Sequence, residues 1–151
     1  LLPIAPPPTE RHAMGVLPQH VADQFGWPEK AAAVERAFSS LAPDERARAR
    51  VFAQNYGQAG ALDVLGRGLP PAMSCHNNYW LWSRGGPFPE VWIILGGRIE
   101  DHHRSFAEVA LAERLPHDWR VMPYEDRLGV FVARKPTVDL AALLAGCRRF
   151  I

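Results

Sequence analysis

The chain has 151 residues, 48% of them hydrophobic and 22% charged, with a formal net charge of +1. That length suits one domain with a sizeable core, and the composition is that of an ordinary globular protein. The near-neutral balance excludes long-range attraction to nucleic acid, so no nucleic-acid partner is expected.

The first residues, Leu1 to Arg11, carry Pro3, Pro6, Pro7 and Pro8 and read as an extended, proline-stiffened segment. No basic stretch followed by an apolar run opens the chain, so no signal peptide is read there. A start at Leu1 fits a domain excised from a longer protein. We expect a linker over residues 1–14 and a single α/β domain over residues 15–151.

A short helix is expected over Pro18–Phe25, stopped by Gly26. A longer one starts near Pro28, where proline suits a first turn, and runs to Leu41. Its apolar positions Ala31, Val34, Ala37, Phe38 and Leu41 recur at helical spacing. Pro43-Asp44-Glu45 opens another turn with acids at its positive end. Val51–Gln54 is a strand candidate, ended by Asn55-Tyr56-Gly57, and a helical pattern follows over Gln58–Leu65. Gly66, Gly68, Pro70 and Pro71 interrupt the chain before a second short strand, Ala72–Ser74. Asn77–Trp82 fits either a helical turn or a strand.

Arg84-Gly85-Gly86-Pro87 reads as a loop. Glu90–Leu95 is the clearest strand, rich in branched and aromatic residues. It contains the longest apolar run, Val91-Trp92-Ile93-Ile94-Leu95, far short of the roughly 20 residues that span a bilayer. Arg98–Ser105 reads as helix, and alternation over Phe106–Leu115 favours a strand. Gly129–Arg134 is a strand and Val138–Cys147 a terminal helix. Strands alternating with helices predict an α/β fold: one three-layer, Rossmann-like domain with a mostly parallel sheet. Little helix separates the last two strands, which predicts an antiparallel edge.

Two segments carry chemistry. Asn55, Tyr56, Gly57, Gln58 and Gly60 fall at a strand-to-helix turn, where glycines permit close approach and free amides meet the positive end of a helix dipole. In an open α/β sheet such turns line the ligand-binding carboxyl edge. They match neither the phosphate-loop nor the dinucleotide-binding glycine pattern. The second segment is Ser74-Cys75-His76-Asn77-Asn78-Tyr79-Trp80-Leu81-Trp82. Ser74, His76 and Asn77 supply hydrogen-bonding groups, and Tyr79, Trp80 and Trp82 supply flat apolar faces, a mixture that suits a sugar surface. The same residues also suit a structural loop, because each buried polar group needs a partner or costs roughly 1–3 kcal/mol. If Ala72–Ser74 neighbours the first strand, the two segments converge at one edge.

Other candidates are weaker. His102 and His103 are adjacent rather than spaced as ligands, and read as a solvated helix face; no metal is expected. Met122-Pro123-Tyr124-Glu125-Asp126 reads as a turn whose tyrosine and acids can rim a pocket. Cys75 and Cys147 pair only if the fold brings them together. Cys147 lies in an apolar helical pattern and reads as a small buried hydrophobe. Cys75 beside His76 makes a poor nucleophile–base pair, since neighbours on a strand face opposite ways.

Together, Gln54–Ala61 and Gly68–Trp82 resemble the tail that follows the last membrane helix in bacterial membrane glycosyltransferases of family 39. These are similar to dolichyl-phosphate-mannose protein mannosyltransferases and lipid A aminoarabinose transferases. The likeness spans about residues 15–135 and includes the strand at Glu90–Gly97 and Met122-Pro123-Tyr124-Glu125. Gln58 stands where that family usually has Glu, and Cys75 where it usually has Gly.

The resemblance implies a soluble accessory domain on the periplasmic side of the inner membrane, without cofactor. The membrane portion of the same polypeptide would hold the catalytic aspartate and the polyprenyl-phosphate sugar. This domain would recognise a glycan, lipid-linked sugar or acceptor, or cover the membrane active site, and would not catalyse transfer alone. The alternative is a structural or docking module with no ligand of its own. A stand-alone hydrolase or nucleotide-binding enzyme is the third reading.

Overall fold

The computed structural model describes residues 13–84 and 89–150. The proline segment and most of the 84–87 loop lie outside the described residues. Helices α1 (Gln19–Ala22), α2 (Trp27–Ser39) and α3 (Pro43–Arg48) come first. Then follow β1 (Ala49–Ala53), α4 (Tyr56–Leu65), β2 (Ala72–Ser74), α5 (Asn78–Trp82), β3 (Val91–Leu95) and α6 (Ile99–His102). The remainder is β4 (Phe106–Arg114), a 3-10 turn (Pro123–Glu125), β5 (Gly129–Pro136) and α7 (Leu140–Cys147).

The five strands form one open mixed sheet in the order β2-β1-β3-β5-β4. β1 pairs in parallel with both β2 and β3, with Val51 opposite Ala72 and Ile93. β5 runs antiparallel to β3, and β4 antiparallel to β5. The expected α/β class and antiparallel edge are both present.

Side-chain alternation sorts the strands' residues between two apolar clusters. Val51, Ile93, Leu95, Val130 and Val132 join the cluster that holds Ala31, Val34, Ala37 and Phe38 of α2 and Leu62 of α4. Met73, Trp92, Ile94, Phe106 and Phe131 form the other, against which Leu140 and Leu143 of α7 and Ile99 of α6 pack. Every residue of β3 is buried, as a strand covered on both faces requires. β4, at the sheet edge, is mostly exposed. Its Glu108 pairs with Lys135 and its Glu113 with Arg36 of α2, and such charges discourage edge-to-edge association.

α2 starts after Gly26 at φ +80°, where a Cβ would meet the Val121 side chain at 2.9 Å. Only glycine takes that left-handed turn without strain. Since β4 runs in the same direction as β3, the segment joining β4 to β5 comes to the edge where β1, β2 and β3 end. Gln54, Cys75, Gly96 and residues 115–128 therefore share one edge of the sheet.

Candidate functional site

Asn55 caps α4. Its backbone is extended, and its side-chain oxygen accepts from the Gln58 N–H at 2.8 Å, as asparagine at a helix start favours. The amide faces the other way and donates to Glu125 Oε1 at 2.9 Å. Gln58 is buried; its Oε1 accepts from Gln54 N–H at 3.1 Å, while Nε2 donates to both Glu125 oxygens at 3.0 and 3.1 Å. Lys30 Nζ lies 3.1 Å from Glu125 Oε2 and 4.4 Å from the centre of the Trp27 ring. Lys30 is only 1% exposed and Glu125 6%. Stripping one partner from a buried ion pair costs about 3–5 kcal/mol, so the four residues act as a unit.

Lys30 and Glu125 floor a cleft of about 480 Å³ between the start of α2 and the 115–126 segment. Trp119, 55% exposed, stands on its wall. The Arg120 guanidinium grips Asp118 at 2.8 and 2.7 Å and stacks 4.9 Å from the Phe25 ring. Those bonds hold the Asp118 carboxyl down to about 2, so it stays charged through the physiological range. His117 Nδ1 sits 2.7 Å from Asp126 Oδ2 on the same wall. The cleft thus joins a flat aromatic face to fixed charges of both signs. The expected acids of the 122–126 turn do rim a pocket.

The second segment divides. Ser74 is fully buried, its N–H donating to Ser83 Oγ at 3.0 Å and its Oγ accepting from His76 N–H at 3.3 Å. His76 is 4% exposed, and neither ring nitrogen has a hydrogen-bond partner among the described residues. Its ring meets Tyr56 edge-on at 5.0 Å, a direct contact between the two predicted segments. Burial lowers its pKa, and the nearby Arg149 cation adds to that. Asn77 takes φ +51°, ψ −136°, a conformation that costs a non-glycine residue roughly 1–3 kcal/mol. Its N–H donates to Arg149 O at 2.8 Å.

Tyr79 donates its hydroxyl to Asp63 Oδ2 at 2.7 Å, and burial together with that bond pushes its pKa up to about 12. Gly57 serves close packing, since a Cβ there would lie 3.3 Å from both Asn55 Oδ1 and the Trp27 ring, whereas a Cβ on Gly60 would meet the Tyr79 hydroxyl only at an ordinary 3.8 Å. Trp80 donates to Leu144 O at 2.7 Å, with the guanidiniums of Arg84 and Arg148 each 4.7 Å from its ring. Trp82 points outward, 68% exposed, its ring 5.0 Å from Tyr79. The predicted constellation is therefore split: Asn55 and Gln58 turn towards Glu125, whereas His76 and Trp80 lie under the C-terminal segment.

Cys75 and Cys147 form a disulfide, which removes Cys75 as a nucleophile and makes Cys147 a cross-link rather than a lone hydrophobe. His102 is also not on a solvated face. Its ring packs edge-on against Phe131 at 5.0 Å, and Nε2 lies 2.9 Å from Gly96 O. Lys30 is the residue that sequence reasoning missed. It precedes Val34 by one helical turn and Ala37 by two, which places it on the buried face. Among the described residues no group of three or more histidines, cysteines or acids can hold a metal ion, and no helix is long and apolar enough to cross a membrane. Comparisons with protein-family models, with curated proteins and with solved structures each return no match.

Proposed function

We propose that the chain is a non-catalytic accessory domain of a polyprenyl-phosphate-sugar-dependent membrane glycosyltransferase, of the family 39 kind, and that its carboxyl edge recognises a glycan or acceptor. The observation that carries this reading is the cleft walled by Trp119 and floored by Lys30 and Glu125. Sugars are bound by stacking of an apolar ring face and by charged hydrogen-bonding groups at its edges, and this cleft offers both. Catalysis by the domain itself finds no support. Glu125 already accepts from Asn55, Gln58 and Lys30, Cys75 is cross-linked, and the His76 ring nitrogens are sealed from solvent.

The disulfide favours an oxidising compartment, consistent with the periplasmic side of the inner membrane. The parallel β2-β1-β3 order, with apolar clusters on both faces, favours a three-layer, Rossmann-like description. The membrane portion of the same polypeptide is the partner this reading requires.

The test is NMR titration of the isotope-labelled domain with methyl α-mannoside and a mannose disaccharide. The expected result is a localised shift at the Trp119 indole and at the amides of Gly26 and Glu125, saturating in the millimolar range because an isolated sugar gives up good water contacts. No localised shift at the highest soluble sugar concentration overturns glycan recognition. That outcome leaves the docking-module reading, which the exposed Leu81 and Trp82 of α5 favour.

A further inference from the structure

A second concavity opens at the same edge, on the sheet face turned away from α2. Phe52, Trp92, Ile94 and Phe106 line a cavity of about 330 Å³, with Leu143 and Cys147 of α7 as its wall. The disulfide from Cys147 to Cys75 pins that wall to the end of β2. Gln54 and Gly97 stand at the mouth, just past the ends of β1 and β3. Here the chain leaves β1 for β2 on one side while β3 lies on the other, the kind of switch point where open α/β sheets bind ligands.

Arg149 also borders the cavity. Its backbone is fixed at two points, N–H to Cys75 O at 2.9 Å and C=O from Asn77 N–H at 2.8 Å. No aspartate or glutamate among the described residues pairs with its guanidinium. The one acid on the cavity wall, Asp101, lies 3.9 Å from Arg98 and 3.4 Å from Arg104. His102, on the same wall, directs Nε2 at Gly96 O. The cavity thus sets the half-buried Phe52 and Leu143, with the buried Trp92 and Phe106 behind them, beside one solvent-facing guanidinium that pairs with no acid among the described residues.

We infer that this cavity binds a small amphipathic anion, its flat or short-chain apolar body against the half-buried Phe52 and Leu143 and its carboxylate or phosphate monoester on Arg149. The volume falls within the range of small-molecule sites, and an apolar lining with few convergent polar groups is their usual composition. Burial of the body supplies most of the affinity, and the guanidinium supplies selection for charge, since a charge-assisted hydrogen bond is about twice as strong as a neutral one. The inference goes beyond the glycan reading and uses none of the residues of the Trp119 cleft.

The test compares 2-naphthoate with uncharged 2-naphthylmethanol, titrated into the oxidised chain by calorimetry and by NMR of the Trp92 indole. Naphthoate is expected to bind at least tenfold more tightly than the alcohol and to shift Trp92, not Trp119. Arg149→Gln is expected to bring naphthoate down to the alcohol's affinity and leave the alcohol unchanged. Leu143→Trp, which fills the cavity from α7, is expected to abolish both. Equal binding of acid and alcohol by the native chain, an Arg149→Gln variant that binds naphthoate normally, or shifts confined to Trp119 would each overturn the proposal. Because sugar and naphthoate report on different tryptophans, failure of either reading leaves the other standing.

Discussion

His76 shows how a single residue writes a pH dependence into the fold. An imidazole buried without a partner is forced towards its neutral form, and the ring's pKa lies below its ordinary 6.5. The folded state then binds fewer protons than the unfolded chain between the two pKa values. Stability is therefore full above pH 6.5 and falls with pH until the folded-state pKa is passed. His102, also lowered chiefly by burial, acts in the same direction. His76→Leu removes the unpaired ring and is expected to change stability by less than about 1 kcal/mol at neutral pH, or to raise it. At pH about 5 the variant should retain more of its stability than the native chain does, by up to roughly 1.4 kcal/mol per unit of pKa lowering. Urea midpoints at the two pH values measure this; parallel losses in both proteins would show that His76 does not titrate against folding. The Lys30–Glu125 pair carries the opposite lesson. Each buried charge is tolerated because the other is there, with Asn55 and Gln58 occupying the remaining carboxylate lone pairs.

At the level of elements, α4 joins a helix start to that polar unit. Asn55 makes two bonds with different purposes, one capping Gln58 N–H and one to Glu125. Asn55→Ser keeps a cap and loses the link; Asn55→Ala loses both. The expected order of stability is native, then Ser, then Ala, with Ala about 1–2 kcal/mol below native. Equal losses for Ser and Ala by denaturant titration would mean that only the Glu125 bond matters. Much of this level is legible in residue pattern. Ala31, Val34, Ala37, Phe38 and Leu41 are all buried as their spacing predicts, and β3 occupies the apolar run Val91–Leu95. α4 starts at Tyr56, two residues before the expected start, because the Asn55 cap and not the apolar pattern sets the boundary. Within Asn77–Trp82 the structure forms a short helix, α5 (Asn78–Trp82), an outcome the period left open because five residues make little more than one turn.

For the whole molecule, the shared carboxyl edge follows from alternating strands and helices, but the contacts that shape its sites do not. Glu125 is 70 positions from Asn55 and 67 from Gln58, and no local signal selects that carboxylate over the chain's other acids. The disulfide is equally non-local, with 72 positions between its cysteines. It closes most of the sheet within one covalent loop and anchors the C-terminal segment, whose Arg149 pairs with His76 in an isolated backbone β-bridge. Restricting the unfolded chain by a loop of that size is worth roughly 4 kcal/mol in the entropic treatment. Cys75→Ala/Cys147→Ala, like reduction of the native chain, is therefore expected to lower stability by about 2–4 kcal/mol. The loss should be accompanied by a local one. Asn77 N–H, bonded to Arg149 O, should exchange with solvent much faster, while amides of α2, packed on the opposite face, should follow the global stability. The urea midpoint with and without reductant gives the first quantity, and hydrogen exchange gives the second. An unchanged midpoint would show that the loop is already restricted in the unfolded chain. An unchanged Asn77 rate would show that the segment is held by Trp80, Leu144 and the two stacked arginines rather than by the cross-link.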